Sequence, residues 1–451
     1  MFSALYTKLV ANILFPLHEL LKKHDTVRIK KQLEQSQWQS TEAINENANK
    51  RLAKFLDKAS QDVPYYRDVF KKLGIEAGDI ALKAELSALP FLDKTVIREN
   101  FEQLKSEKAG PTQPFTTGGS SGTPLTFLLS NERVSHDVAE KWRATRWWDV
   151  DIGDKEIVAW GSPIELGAQD KVRIARDKLF RSTLVPAFDM DEVKLLGFIE
   201  QIKSIAPKML FGYPSVYALI AQTAQKHNIA LDNLGIKVVF VTSERLYPYQ
   251  QEVIEKVFNA PVANGYGGRD AGFIAHACAN GKMHISAEDI IVEIVDSQGN
   301  VLPDGESGEI VVTHMATSDF PFIRYRTGDI GAIDTDSCSC GRGLPVLKNI
   351  EGRTTDFVVA QDGTIMHGLA LIYILREMSG IDAFKIVQES LTHTRVEIVP
   401  THSLTEEMRG TIVNGFKQRL GETVEVELQV VDSIAAEKSG KFRYVISKVE
   451  Y

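Results

Sequence analysis

The stretch Phe115-Thr116-Thr117-Gly118-Gly119-Ser120-Ser121-Gly122-Thr123-Pro124-Leu125 decides how the chain is read. Its eleven residues hold three Gly, two Ser, three Thr and one Pro, and the apolar run 125–129 follows directly. Glycine reaches backbone conformations closed to other residues and lets the main chain approach a ligand closely. Successive exposed N–H groups in such a loop form a concavity for anions, to which Ser and Thr hydroxyls add donors. No Gly-Lys-Ser/Thr follows the glycines, so this is not a Walker A loop. Taken alone, it reads either as a polyphosphate cradle or as a plain surface turn. Its surroundings have to decide.

Upstream, residues 1–105 are mostly helical in pattern. Charged and amide residues dominate 28–58, with Leu52, Phe55 and Leu56 recurring at helical spacing. Val63-Pro64 breaks the pattern and starts a further helix, and Asp93 caps another. The apolar run 5–21 contains Lys8, Pro16, His18 and Glu19, so it is too short and too interrupted to span a bilayer. No small-residue cleavage site follows it. An amphipathic helix docked on the protein body is expected there, with contact to a membrane surface as the other reading.

Downstream, residues 132–149 form a helix whose Trp142, Trp147 and Trp148 are expected in the core. Short apolar runs (157–160, 209–211, 238–242) then alternate with helical stretches (190–205, 214–227, 248–258), the pattern of an α/β layer with parallel strands. Ligands of such sheets sit beyond the carboxyl ends of the strands. Those ends are Gly161, Gly212-Tyr213-Pro214 and Ser243-Glu244. Residues 283–333 turn β-rich. From 357 the order strand, helix, strand, strand, helix, strand predicts a small ferredoxin-like α+β domain. The expected fold class is therefore α/β: a large N-terminal domain with mixed and parallel sheets, helices and a β-rich subdomain, plus that C-terminal domain. The expected divisions are a helical region 1–105, a core 106–351 and a mobile domain 352–451.

At 451 residues the chain has room for two or three domains, and 43% hydrophobic with 25% charged residues is ordinary for a globular protein. The formal net charge of −8 speaks against a nucleic-acid partner. Three cysteines, without secreted-scaffold spacing, predict a reduced cytoplasmic setting.

Five pieces occur in order: 116–124, Gly265-Tyr266-Gly267-Gly268-Arg269-Asp270, Tyr325-Arg326-Thr327-Gly328-Asp329, Gly352-Arg353, and Ser439-Gly440-Lys441-Phe442-Arg443. Together they resemble the adenylate-forming (ANL) superfamily over essentially the whole chain. The phenylacetate–CoA ligase branch, with its CapK-like members found with polysaccharide biosynthesis, looks most similar. The resemblance implies an AMP-forming acid ligase: ATP and a small carboxylic acid give an acyl-adenylate and pyrophosphate. The acyl group then passes to coenzyme A, an amine or a sugar. Thr116, Gly118, Gly119, Ser120, Ser121, Gly122 and Thr123 would hold the phosphates. Ser243, Glu244, Gly265, Tyr266, Gly267 and Arg269 would shape the nucleotide site, with Tyr266 against adenine. Asp329 would take the ribose hydroxyls and Arg353 would sit near ribose and phosphate, where a fixed guanidinium is well suited. Lys441, Asp270 and Thr117 are the implied catalytic residues, Lys441 arriving from the C-terminal domain and Asp270 binding Mg²⁺.

Two positions depart from the family. Asp270 stands where glutamate is usual, one methylene shorter though still able to ligate Mg²⁺. Thr355 stands at the usual acidic hinge position, with Asp356 next. These departures keep a second hypothesis open, a catalytically silent nucleotide-binding scaffold.

Cys278-x5-His284 and Cys338-x-Cys340 use every cysteine of the chain. Three Cys and one His make a common closed, tetrahedral zinc site. Some members of the resembling branch carry one. The competing readings are a chance cluster of buried thiols and a Cys338–Cys340 redox pair.

Overall fold

The computed structural model describes residues 2–80, 82–116, 125–160, 171–187, 192–244, 246–351, 357–376, 378–434 and 444–449. The N-terminal region is helical. Phe2–Leu9 and Phe15–Leu21 are joined by the π-helical turn Val10–Leu14, which brings Val10 and Phe15, five residues apart, to one buried face. The helix Thr41–Asp62 is capped by Ser40, whose hydroxyl accepts the Ala43 N–H at 3.3 Å. It buries Ile44, Ala48, Leu52, Phe55, Leu56 and Ala59 at the spacing of one helical stripe. Asp93 caps Lys94–Glu99 through the Val96 N–H at 2.8 Å.

Strands β1 (Thr112–Thr116) and β2 (Thr126–Ser130) flank the glycine-rich stretch and pair antiparallel, Thr116 opposite Thr126. The helix Asn131–Arg146 follows, capped by Ser130. Five parallel strands come next: β3 (Glu156–Trp160), β4 (Ser182–Pro186), β5 (Met209–Gly212), β6 (Val238–Thr242) and β7 (Val262–Gly268). Helices Lys171–Phe180, Glu192–Ile205, Pro214–Lys226 and Pro248–Phe258 connect them. β5 and β6 are buried almost throughout, as strands covered by helices on both faces must be.

Six more strands complete the sheet: β8 (Gly272–Ala277), β9 (Met283–Ile285), β10 (Ile290–Val295), β11 (Gly308–His314), β12 (Phe322–Ile333) and β13 (Val346–Glu351). The order is β10-β11-β12-β13-β9-β8-β7-β6-β5-β3-β4, eleven strands in one sheet. The β-rich run thus keeps a hydrophobic core of its own, shared with the N-terminal helices, but not a sheet of its own. The antiparallel β7–β8 pair joins the two parts; Tyr266 lies on its first strand, and the turn at Arg269 and Asp270 reverses the chain there.

The last part comprises β14 (Phe357–Val359), β15 (Ile365–His367), the helix Leu369–Arg376, β16 (Ile381–Ser390), β17 (His393–Pro400), the helix Glu406–Leu420, β18 (Glu425–Val430) and β19 (Val445–Ser447). Its four-stranded sheet runs β18-β17-β16-β19 over a separate core that includes Leu371, Phe384, Ile398 and Phe416. The first strand stays outside that sheet in a hairpin with β15. The Gln388 side-chain amide takes both backbone groups of Val359, at 2.9 and 2.6 Å, so this short strand meets its hydrogen-bonding needs without a place in the sheet.

Candidate active site

The carboxyl ends of β5, β6 and β7 lie side by side. β5 ends in Gly212, where a Cβ would stand 2.1 Å from the Ala159 carbonyl oxygen, so the strand closes this tightly on β3 only with glycine. Tyr213 then stacks on Trp160, centroids 4.8 Å apart, and Phe211 stacks on Phe240 at 5.6 Å. An aromatic wall results. After β6, Ser243 takes a left-handed conformation, φ 71°, unusual for a residue with a side chain. Glu244 accepts the Ser215 N–H, at the start of the helix Pro214–Lys226, at 3.4 Å. On β7, Gly265 backs onto the Phe240 ring, which a Cβ would approach to 2.9 Å.

Tyr266 and Asp329 are far apart in sequence and adjacent in space. The Tyr266 hydroxyl donates to Asp329 Oδ2 at 3.0 Å. The backbone holds the Thr-Gly-Asp turn from the other side: the Asp329 N–H donates to Thr327 Oγ1 at 3.1 Å, and that hydroxyl donates to the Ile310 carbonyl at 2.8 Å. At Gly267 the chain passes so close to Gly272 that a Cβ would sit 2.2 Å from its carbonyl oxygen.

The Asp270 carboxylate is fixed by the Tyr325 hydroxyl at 2.6 Å and by the Ala271 N–H at 3.1 Å. Each carboxylate oxygen has a second lone pair, so these bonds leave capacity for a cation. Arg133, buried in the helix behind, donates to the carbonyls of Arg269 and Asp270 at 3.3 Å. Arg269 lies over the Phe115 ring at 5.2 Å, which ties this turn to the base of the glycine-rich hairpin. Burial lowers the Arg269 pKa, opposed by the phenol of Tyr373 from the C-terminal part.

A second centre lies at the β8–β9 turn. The ligand atoms of Cys278, His284, Cys338 and Cys340 all fall within 4.8 Å of one another. Cys278 and Cys338 sulfurs are 3.6 Å apart, and Cys340 Sγ is 3.2 Å from His284 Nε2. Tetrahedral zinc with bonds of about 2.3 Å to sulfur separates its sulfurs by roughly 3.8 Å, so the set matches one ion. His284 Nδ1 donates to the Leu344 carbonyl at 3.1 Å, which turns Nε2 to the sulfurs as a metal-bound histidine requires. All three thiols are free, and no disulfide joins Cys338 to Cys340. Burial pushes Cys338 up to about 11; at Cys340 burial also raises the pKa, but hydrogen bonds from Arg342 and Cys338 together pull it down.

Of the residues singled out in the sequence, Tyr266, Asp329, Gly265, Gly267, Arg269 and Asp270 come together, Arg269 reaching Phe115 next to Thr116 in the chain, and Ser243 and Glu244 line the neighbouring strand end. Thr117, Gly118, Gly119, Ser120, Ser121, Gly122, Thr123, Arg353 and Lys441 lie outside the described residues. Trp142, Trp147 and Trp148 pack into cores, as expected. Sequence reading missed Arg133 and the part played by Tyr325. Tyr325 stands at the head of a quoted motif and could have been found there. Arg133 left no signal, being one more arginine on an amphipathic helix.

Residues 10–318 match the family described as AMP-binding enzyme, and residues 358–448 match the CapK C-terminal domain. Protein CapK of Staphylococcus aureus is 24% identical over 416 residues, 89% of each chain. A phenylacetate-coenzyme A ligase of Pseudomonas putida is 22% identical over 426 residues, 91% of this chain and 95% of its own. A structure of 2-hydroxyisobutyryl-CoA ligase with 2-HIB-AMP and CoA superposes with a TM-score of 0.64 at 21% identity, covering 89% of both, which shows a common fold.

Proposed function

We propose, from the premise that the chain belongs to the AMP-binding enzyme family, that it joins a small carboxylic acid to an acceptor through an acyl-adenylate. The observation that carries this reading is the Tyr266–Asp329 hydrogen bond, which unites two separated motifs, while Arg269 of the first reaches Phe115 of β1. A carboxylate oxygen of the acid attacks the α-phosphorus of ATP and pyrophosphate leaves. The acceptor then attacks the acyl carbon and AMP leaves. Relatives named phenylacetate-coenzyme A ligase favour the thiol of coenzyme A as acceptor, with an amine or a sugar hydroxyl as the other candidates.

In this reading the stretch 116–123 cradles the outer phosphates, Tyr266 lies against adenine, and Asp329, oriented by Tyr266, accepts the ribose hydroxyls. Asp270 would hold Mg²⁺, which spreads the charge of the phosphates when bound. Arg133 and Tyr325 keep that carboxylate in place. The aromatic wall of Trp160, Phe211 and Tyr213 borders the acyl group. Residues 352–451 act as a mobile domain, after the helical region 1–105 and the core 106–351, and they bring Lys441 and Arg353 to the nucleotide. Cys278, His284, Cys338 and Cys340 would hold a structural zinc, whose four protein ligands leave no open position.

The test is acid-dependent exchange of labelled pyrophosphate into ATP, run over a panel of carboxylic acids. Exchange with at least one acid is expected, reduced about 10²–10³-fold by Lys441→Ala, the range for removing one charge-stabilising group. No exchange with any acid would contradict adenylation and favour a silent nucleotide-binding scaffold. Unchanged exchange in Lys441→Ala would remove that lysine from the mechanism.

A further inference from the structure

The N-terminal helical rod, residues 2–21, has two apolar faces, and only one is used. Val10, Ala11 and Phe15 are buried, and the rod is pinned by Thr7 Oγ1 to Asp154 at 2.8 Å and by the Tyr6 hydroxyl to the Leu179 carbonyl at 3.0 Å. Gly153 meets it so closely that a Cβ there would overlap Val10 at 2.4 Å. Opposite, Leu5, Leu9, Ile13 and Leu17 follow at four-residue spacing and end at Leu20 and Leu21. Their exposures run from 40% at Leu9 to 76% at Leu21. The rod is about 30 Å long, so this is a continuous stripe rather than scattered surface leucines.

The neighbouring helix Lys171–Phe180 packs against the rod through Phe180, 6.0 Å from Phe15 and 5.4 Å from His18, and it exposes Ile174 and Leu179. The exposed charges carried by these two helices are basic, and the acids nearest them, Asp149, Asp151 and Asp154 beside Lys8 and Asp25 after the rod, are paired with Lys237, Arg146, Lys208 and Arg28. Lys8, Lys22 and Lys23 on the rod side and Lys178 on the neighbour are exposed. Glu19 is the only acid in residues 2–24, and it is buried, accepting from His18 at 2.9 Å, His24 at 3.3 Å and Thr26. On the neighbour, Asp177 is partly buried and paired with Arg176. This cationic rim belongs to a chain whose net charge is −8.

We infer that this face docks in the plane of an anionic phospholipid bilayer. A helix with an apolar face and a lysine rim lies in the interface with its apolar side chains at the headgroup–acyl boundary. Anionic headgroups attract the lysines that flank it. A second copy of the chain would instead bring two cationic rims together. Among the described residues no helix is long and apolar enough to cross a membrane, so the contact is peripheral. The inference does not depend on the ligase reading.

The test is flotation of the full chain with phosphatidylcholine–phosphatidylglycerol vesicles, against vesicles of phosphatidylcholine alone. The expected result is binding to the anionic vesicles only, lost in Ile13→Glu/Leu17→Glu and weakened by raised salt. Lys8→Gln and Lys22→Gln should each weaken it about five-fold, keeping every apolar contact. Absence of binding to anionic vesicles would overturn the inference. So would equal binding by the double glutamate variant, or a wild-type dimer that this variant dissociates.

Discussion

His276 sits directly behind the candidate site, paired across the strands with Gly265 and lying between the rings of Phe240 at 5.9 Å and Phe273 at 5.3 Å. Its Nδ1 has no hydrogen-bond partner among the described residues. Burial, and then the nearby Arg143 cation, lower its pKa to about 3. The folded chain therefore declines a proton that the unfolded chain accepts near pH 6.5. Its share of stability is complete above that pH and falls away as pH drops from about 6.5 towards 3, at up to about 1.4 kcal/mol per pH unit. His314, lowered to about 4 by burial and by Arg133, adds a second share of the same sign. His276→Leu should flatten the fall in urea-unfolding stability between pH 6 and 4, and an unchanged slope would contradict the assignment. Residues of this kind were not legible in the sequence, because nothing local distinguishes a buried His276 from an exposed one. Tyr266, Asp270 and Asp329 were legible because their motifs come in a fixed order, whereas Arg133 acquires its part only by tertiary contact.

At the scale of elements, Cys278, His284, Cys338 and Cys340 do more than close the β8–β9 turn. Arg342, two residues after Cys340, lies between the rings of Trp38 at 4.7 Å and Trp147 at 4.4 Å and donates to Gln37 Oε1 at 3.2 Å. Gly343 packs so tightly on the N-terminal helices that a Cβ would stand 1.9 Å from the Gln39 carbonyl oxygen. The cysteine loop is thus a staple between those helices and the sheet. Elemental analysis of untagged protein should give about one zinc per chain. Cys338→Ser should lower the melting temperature and speed proteolysis near residues 37–41, and a metal-free chain of unchanged stability would contradict the zinc site. The cysteine set was visible from spacing alone. Its docking on Gln37 and Trp38 was not, since the contact spans about three hundred residues of sequence. The same limit explains the β-rich run: alternation showed its strands, but only the β7–β8 pairing reveals that they extend the parallel sheet.

For the whole molecule, one sheet of eleven strands carries the candidate site where its parallel and antiparallel parts meet, and a separate core supports the C-terminal part. That arrangement suits a reaction whose groups are divided between two bodies. The glycine-rich stretch lacks a Walker lysine, and in the proposed reaction the positive charge would come from Lys441, more than three hundred residues on. The most direct measurement of this claim follows the oxygen atoms. If the acid is activated as an acyl-adenylate, one of its carboxylate oxygens ends in AMP after acyl transfer. With the accepted acid doubly labelled with ¹⁸O, mass spectrometry of the nucleotide product should find one ¹⁸O in AMP. Label in inorganic phosphate with ADP as the nucleotide product, or AMP free of label, would contradict the account.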